Sequence, residues 1–269
     1  MTRAILFGAT GRMGSAIVRA GLADKSLEVV LAIASAGSKS TGKDVGEIAG
    51  AGKLGVPVRD QLPQDLGGAS VAIDFSRPEL SLHALAACRA ARIPLVIGTT
   101  GHGEQFAARV DEAARDIPVL VAANTSIGVA VAQALVQLAA KVLPAGFDIE
   151  ISEAHHKHKV DAPSGTALAL AESAARGRGL DVRKHVVSGR TGQGARVEGQ
   201  IGISSIRAGD VVGSHTVWFA GPGERLTVTH EATDRTIFAR GAIRAAVWLA
   251  SQTPGLYSMA NVLGLKTIS

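Results

Sequence analysis

Short apolar runs at residues 4–7, 28–34, 71–75, 94–97 and 119–123 alternate with longer stretches at 12–23, 78–92 and 105–115. In the longer stretches apolar positions recur at helical spacing. The short runs have the length of strands buried on both faces, and the stretches between them read as amphipathic helices. Pro78 suits a first helical turn, where its fixed φ and missing N–H cost little. Alternating β and α units of this size predict an α/β, Rossmann-like doubly wound parallel sheet with right-handed crossovers. Ligands of such sheets bind outside the carboxyl ends of the strands.

The pattern changes after residue 127. A helix is predicted over 128–142, then a half-exposed strand over 147–153, where Phe-Asp-Ile-Glu-Ile-Ser-Glu alternates. A helix over 166–176 follows, and glycine-punctuated alternating segments cover 199–207, 211–219 and 225–231. These predict an α+β unit with a mixed, largely antiparallel sheet. A last helix, 235–250, and a tail, 254–265, close the chain. Two units are therefore expected: 1–126 with 236–269, and 127–235 between them.

The chain of 269 residues is 46% hydrophobic and 19% charged, enough for a sizeable core and too apolar for disorder. Its 32 glycines beside six Phe, two Trp and one Tyr favour close backbone approaches over an aromatic-cored sandwich. The single cysteine, Cys88, excludes a disulfide framework or a Cys-based zinc ribbon and fits a reducing compartment. No apolar run approaches the ~18 residues of a membrane span, and the first one is too short for a signal-peptide core. A cytoplasmic protein is expected. The net charge of +5 comes from basic residues spread mostly singly. With few aromatics to stack on bases and no helix-turn-helix, it suits a phosphorylated cofactor or a small dianion better than nucleic acid.

The turn Gly8-Ala9-Thr10-Gly11-Arg12-Met13-Gly14 sits between the first strand and the first helix. Glycines there allow a sharp turn, close approach of a pyrophosphate and tight helix packing, and the helix N-terminus favours phosphate. The spacing is Gly-x-x-Gly-x-x-Gly, and a glycine turn without ligand is the alternative. The second strand ends without the carboxylate that would hold adenine ribose hydroxyls. Ser35, Ser38 and Lys39 could instead receive a 2′-phosphate, or be solvated loop residues. NADPH, NADH or both are the expected cofactors. Two further strand-end turns, Gly98-Thr99-Thr100-Gly101 and Ala122-Ala123-Asn124-Thr125-Ser126, would join the first at one crevice.

The densest chemistry lies in Glu153-Ala154-His155-His156-Lys157-His158-Lys159-Val160-Asp161-Ala162-Pro163-Ser164-Gly165-Thr166. Three of its residues are histidines, so zinc is one reading. The lysines oppose it, as does the lack of an H-E-x-x-H helix or cysteine set, and no metal is expected. A solvated basic loop is another reading. Ser164-Gly165-Thr166 opens a helix whose free N–H groups and threonine hydroxyl suit a carboxylate. With His156 and Lys159 they would make a pocket for a small polyanion. A histidine with a pKa near ~6.5 exchanges protons at neutral pH.

These residues resemble the 4-hydroxy-tetrahydrodipicolinate reductase (dihydrodipicolinate reductase) family of diaminopimelate and lysine biosynthesis. The resemblance rests on 8–14, 98–101, 122–124 and above all 153–166, and extends to Arg240-Gly241-Ala242 and 256–263. It implies NAD(P)H-dependent hydride transfer to C4 of a cyclic imine dicarboxylate, with the 4-hydroxyl lost as water. It further implies that the middle unit binds substrate and builds a homotetramer through its sheet. His155 and Lys159 are then the proton-transfer residues. His156, Ser164, Gly165, Thr166 and Arg235 are the substrate contacts. Gly8, Ala9, Thr10, Gly11, Arg12, Met13, Ala34, Ser35, Gly98, Thr99, Thr100, Ala122, Ala123, Asn124 and Thr125 are the cofactor contacts. Many family members carry an acidic residue followed by a basic one where Ala34 and Ser35 stand. Another nicotinamide-dependent enzyme of small acids would share the glycine turn but has no need of the 153–166 series.

Overall fold

The computed structural model describes residues 1–265, so the last four residues of the expected 236–269 segment lie outside the described residues. The chain divides into two compact units, Met1–Ser126 with Thr236–Gly264, and Ile127–Arg235.

In the first unit β1 (Thr2–Phe7), α1 (Arg12–Asp24), β2 (Leu27–Ile33), α2 (Val45–Ile48), β3 (Val58–Arg59) and β4 (Val71–Asp74) follow one another. Then come α3 (Pro78–Ala91), β5 (Leu95–Ile97), α4 (Phe106–Ala114) and β6 (Pro118–Val121). The chain leaves for the second unit through α5 (Ile127–Val142), β7 (Asp148–His155), α6 (Gly165–Arg178), α7 (Val182–His185), β8 (Val186–Ser188), β9 (Ile201–Arg207), β10 (Gly213–Gly221) and β11 (Glu224–Ala232). It returns with α8 (Thr236–Leu249), β12 (Gly255–Tyr257) and α9 (Met259–Val262).

The first sheet has seven strands in the order β12-β6-β5-β4-β1-β2-β3, all paired in parallel. Its strands are apolar throughout because both faces are covered. Ile5, Phe7, Ile33, Leu95, Ile97 and Val119 pack with Leu85 and Cys88 of α3 and Val110 of α4. The alternate residues, among them Ala4, Leu6, Ile73, Val96 and Leu120, are equally buried. Helices α1 and α8 pack on each other and on this sheet. Pro78 is the first residue of α3, as its backbone chemistry requires. Among the described residues no helix is long and apolar enough to cross a membrane.

The second sheet runs β11-β10-β7-β9-β8. It is mixed as expected, but evenly so: β10 pairs antiparallel with β11 and β7, whereas β9 pairs parallel with β7 and β8. The parallel half arises because β8 and the loop to residue 200 place β9 beside β7 by a crossover rather than a hairpin. One face carries the core, where Ile149, Ile151, Ile203, Val217 and Phe219 meet the alanine-rich faces of α5 and α6.

Several short elements escape hydropathy. α2, β3, α7 and β8 are two to four residues long and carry no periodic signal. The tail resolves into β12, which adds to the edge of the first sheet, and α9. The strand expected to end at Glu153 continues to His155, and the helix expected from Thr166 starts at Gly165 with Ser164 as its N-cap.

Candidate active site

In the first unit the loops after β1, β4, β5 and β6 leave the same, carboxyl-terminal edge of the parallel sheet. Successive strands step one way from β1 to β3 and the other way from β4 to β6, so β1 and β4 flank a topological switch point, where such sheets bind ligands. Gly8 has φ +73°, and a Cβ on it would stand 2.3 Å from the Phe75 carbonyl oxygen; one on Gly14 would stand 2.4 Å from that of Gly8. No other residue fits either position. Gly8 and Ala9 both donate their N–H groups to Ile33 O, at 2.9 and 3.1 Å, so they serve the turn. Gly11, the N-cap of α1, offers no side-chain cap, and the first turn holds no acidic residue. An anion at this end meets the helix N–H groups and the positive end of its dipole directly. Arg12 is exposed there, and Thr10 and Met13 are half-buried.

The other expected cofactor residues divide by what their polar groups already do. Ala34 is buried and gives its N–H to Arg59 O at 2.8 Å, while Ser35 and Lys39 are exposed. Thr99 donates its hydroxyl to Asp74 Oδ2 at 2.9 Å and accepts from the Ser76 N–H at 2.8 Å, so it shapes the edge. Gly98 lies under the Phe75 ring, and Thr100 is exposed. Thr125 donates its hydroxyl to Phe238 O at 2.7 Å, and Asn124 Oδ1 accepts the Ser126 N–H at 2.8 Å. Ala122 bonds through its N–H to Ile97 O, and Ala123 is exposed. The loop after β4, with buried Asp74, was missed. Its signal was a carboxylate closing an otherwise apolar strand.

In the second unit three strands end in polar residues on the side that carries the core. Along β7 the inward series Ile149, Ile151 continues into Glu153 and His155. Along β9, Ile201 and Ile203 continue into Ser205 and Arg207, and on β10 His215 precedes Val217 and Phe219 in the same phase. Register brings these ends together: Glu153 pairs with Ser205 and with His215, and His155 with Arg207.

Glu153 is 1% exposed, and both its oxygens are engaged. Arg207 donates Nη1 to Oε2 at 2.9 Å and Nη2 to Oε1 at 2.7 Å. His155 Nδ1 lies 2.6 Å from Oε2, and the Ser164 N–H reaches Oε1 at 3.2 Å. Burial pushes the Glu153 carboxyl up, but hydrogen bonds from Arg207, Ser205 and His155 outweigh it and hold the group at about 2. Burial lowers the His155 pKa below its ordinary value, with Glu153 opposing and the charges of Lys159 and Arg207 assisting, so the ring is neutral at pH 7. Burial above all lowers His215 to about 4. Its Nε2 is 3.1 Å from Ser164 Oγ, and its ring meets that of His155 edge-on at 5.0 Å.

The loop after β7 returns to this cluster. Lys159 Nζ pairs with Asp161 Oδ1 at 2.8 Å, and the Asp161 carbonyl accepts from Arg207 Nη2 at 2.6 Å. Ser164 caps α6 by accepting the Ala167 N–H at 3.2 Å. Gly165 is exposed with an ordinary φ, and a Cβ there would meet nothing within 4 Å. The fold therefore has no need of glycine at this helix start, and the space above it is open to a ligand. Thr166 follows, half-buried. His156 is half-buried; burial and then the Arg235 charge lower its pKa, which puts exposed Arg235 within electrostatic reach. Lys157 and His158 are exposed. Glu153, Arg207, His215 and Asp161 are the residues that sequence reasoning left without a role. Ligand atoms of Glu153, His155 and His215 lie within 4.8 Å of one another, but a cation there would have to displace Arg207 from both carboxylate oxygens.

Two family models match the chain, one described as the N-terminus of dihydrodipicolinate reductase, over residues 2–125, and one as its C-terminus, over 128–263. A protein named 4-hydroxy-tetrahydrodipicolinate reductase from Anaeromyxobacter dehalogenans is 51% identical over 99% of both chains. One of the same name from Alkalilimnicola ehrlichii is 50% identical over 98% of this chain and 99% of its own. Among solved structures, a dipicolinate-bound dihydrodipicolinate reductase from Paenisporosarcina sp. TG-14 superposes with a TM-score of 0.74 at 25% identity, covering 96% of this chain and 97% of that one. An amine dehydrogenase from Mycobacterium smegmatis shares the fold with a TM-score of 0.62 at 15% identity, over 96% of this chain and 95% of its own.

Proposed function

This chain belongs to the dihydrodipicolinate reductase family, an oxidoreductase family of lysine and diaminopimelate biosynthesis, and from that premise we propose how its residues carry the reaction. The reaction is NAD(P)H-dependent reduction of 4-hydroxy-tetrahydrodipicolinate to tetrahydrodipicolinate. In balance, a hydride enters at ring C4, one proton is taken up and the 4-hydroxyl leaves as water.

The nicotinamide cofactor supplies the hydride. The Gly8–Gly14 turn and the uncapped start of α1 hold its pyrophosphate, with Arg12 adding charge. Gly98, Thr100, Ala122, Ala123 and Asn124 line the same sheet edge beside Asp74, and the Thr99 and Thr125 hydroxyls brace it. At the end of β2, Ser35, Ser38 and Lys39 accept a 2′-phosphate where no carboxylate repels it, so NADPH serves at least as well as NADH.

The substrate dicarboxylate is bound by the second unit. One carboxylate sits at the start of α6, on the N–H groups of Gly165 and Thr166, with Arg235 adding positive potential and the His156 ring offering a hydrogen-bond donor. Lys159 supplies the proton, and His155 exchanges one at Nε2, since Nδ1 is engaged by Glu153. Gly213 leaves room at that edge: a Cβ on it would stand 3.1 Å from Nε2. The observation that carries this reading is Gly165, whose glycine nothing inside the fold requires, opening a helix just beyond the loop that carries His155 at its start and Lys159 within it.

We further assign the protein to the cytoplasm, on the lone buried thiol of Cys88, and to a homotetramer built on the outer face of the second sheet, where Trp218 and Ile206 are exposed. Sedimentation of the purified chain tests the tetramer. Loss of NADPH or NADH absorbance with freshly generated 4-hydroxy-tetrahydrodipicolinate tests the roles. Normal turnover in H155Q or K159A contradicts them, and a strong NADH preference contradicts the reading of Ser35, Ser38 and Lys39.

A further inference from the structure

We propose that Glu153, held in place by Arg207, is the positioning residue that fixes His155 as its Nδ1–H tautomer and so keeps Nε2 as the proton-exchanging atom. This deepens the reading of His155 given above and rests on it.

The Glu153 side chain has no exposure to solvent, and its carboxylate offers lone pairs only. The hydrogen in the 2.6 Å contact with His155 therefore sits on Nδ1, and in a neutral ring Nε2 is then bare. A buried carboxylate would ordinarily take up a proton and lose this orienting power. Arg207 prevents that by bridging both oxygens, at 2.7 and 2.9 Å. The same guanidinium holds the Asp161 carbonyl at 2.6 Å, and Asp161 pairs with Lys159. One arginine on β9 thus secures both the His155 dyad and the loop that carries the other proton-transfer residue.

The groups facing His155 come from every neighbouring element: Glu153 on β7, Arg207 on β9, His215 on β10, and Lys159 from the following loop. Of these only Glu153 carries a negative charge. Removing that charge shifts the ring toward an easier loss of its proton and releases the tautomer.

The test uses the full-length protein labelled with ¹⁵N-histidine, with the His155 ring signals assigned by their loss in H155Q. The wild type is expected to show Nδ1 protonated and Nε2 bare. In E153Q the ring is expected to populate the Nε2–H form. Its kcat should fall roughly 10- to 100-fold with cofactor Kd unchanged, and the acid limb of kcat should move to lower pH. Because E153Q strands the Arg207 charge, E153Q/R207M provides the same readout with both charges removed. An Nδ1–H tautomer kept in both variants, with an unmoved acid limb, overturns the proposal. A role in stability alone would lower Tm and leave tautomer and limb where they were. The ring nitrogens report on Glu153 whether or not His155 is catalytic, and the turnover of H155Q decides that separately.

Discussion

The glycine turn that ends β1 and the polar strand ends of β7, β9 and β10 each finish a sheet, but with opposite materials. The first edge is mostly backbone: glycines that no side chain can replace, N–H groups at a helix start, and hydroxyls spent on bracing. The second is mostly side chain, with an ionised carboxylate, a guanidinium and two imidazoles interlocked below solvent. Backbone edges suit a ligand recognised by shape and phosphate charge. Side-chain edges suit one whose protons must be moved. In the first region a substitution should therefore damage fold and cofactor affinity together, whereas in the second, chemistry and fold should separate.

The largest effect tests the second region. H155Q is expected to lower kcat by about 10²–10⁴ while leaving the cofactor Kd unchanged, read by steady-state kinetics and cofactor titration. K159A should cost about 10²–10³ in kcat/KM, split between kcat and KM, because a charge and a proton donor are lost together. A pair of glycine variants then sharpens the contrast. G8A forces a Cβ within 2.3 Å of the Phe75 carbonyl at φ +73°, and should destabilise the first unit by about 3 kcal/mol in denaturant titrations. G165A should leave stability within about 0.5 kcal/mol of wild type and raise the substrate KM about tenfold. A G165A enzyme with unchanged KM would remove the main support for a carboxylate at the start of α6.

The same contrast extends to stability against pH. His215 titrates at about 4 when folded, against 6.5 for the unperturbed ring. Its folded pKa is depressed, so the unfolded chain binds more protons in that interval. The stability owed to the neutral buried ring is complete above 6.5 and is lost as pH falls toward 4, by up to roughly 3 kcal/mol. H215Q should flatten the pH dependence of unfolding free energy in that window, and an unchanged slope would contradict the burial argument.

Much of this was legible in sequence, and the reason is local. Among the described residues every strand of four or more residues and every helix of nine or more carried an apolar run or a periodic pattern, and the glycine turn and the 153–166 series are contiguous. The elements missed were too short to carry a period. Glu153 was visible as a letter but its role was not, because its partners Arg207 and His215 come from other strands and meet it only through register. A signal was present all the same: on three strands a polar residue occupies the phase that elsewhere buries Ile, Val or Phe. The even balance of the second sheet was hidden for a similar reason, since an alternating strand reads alike whether its neighbour runs parallel or antiparallel.

The central claim is that this chain binds a planar dicarboxylate at the start of α6 with its ring beside His155. A crystal structure of the chain with pyridine-2,6-dicarboxylate tests it most directly. The account predicts one carboxylate on the Gly165 and Thr166 N–H groups and the ring facing His155 Nε2. A well-occupied ligand that leaves that helix start untouched would contradict it.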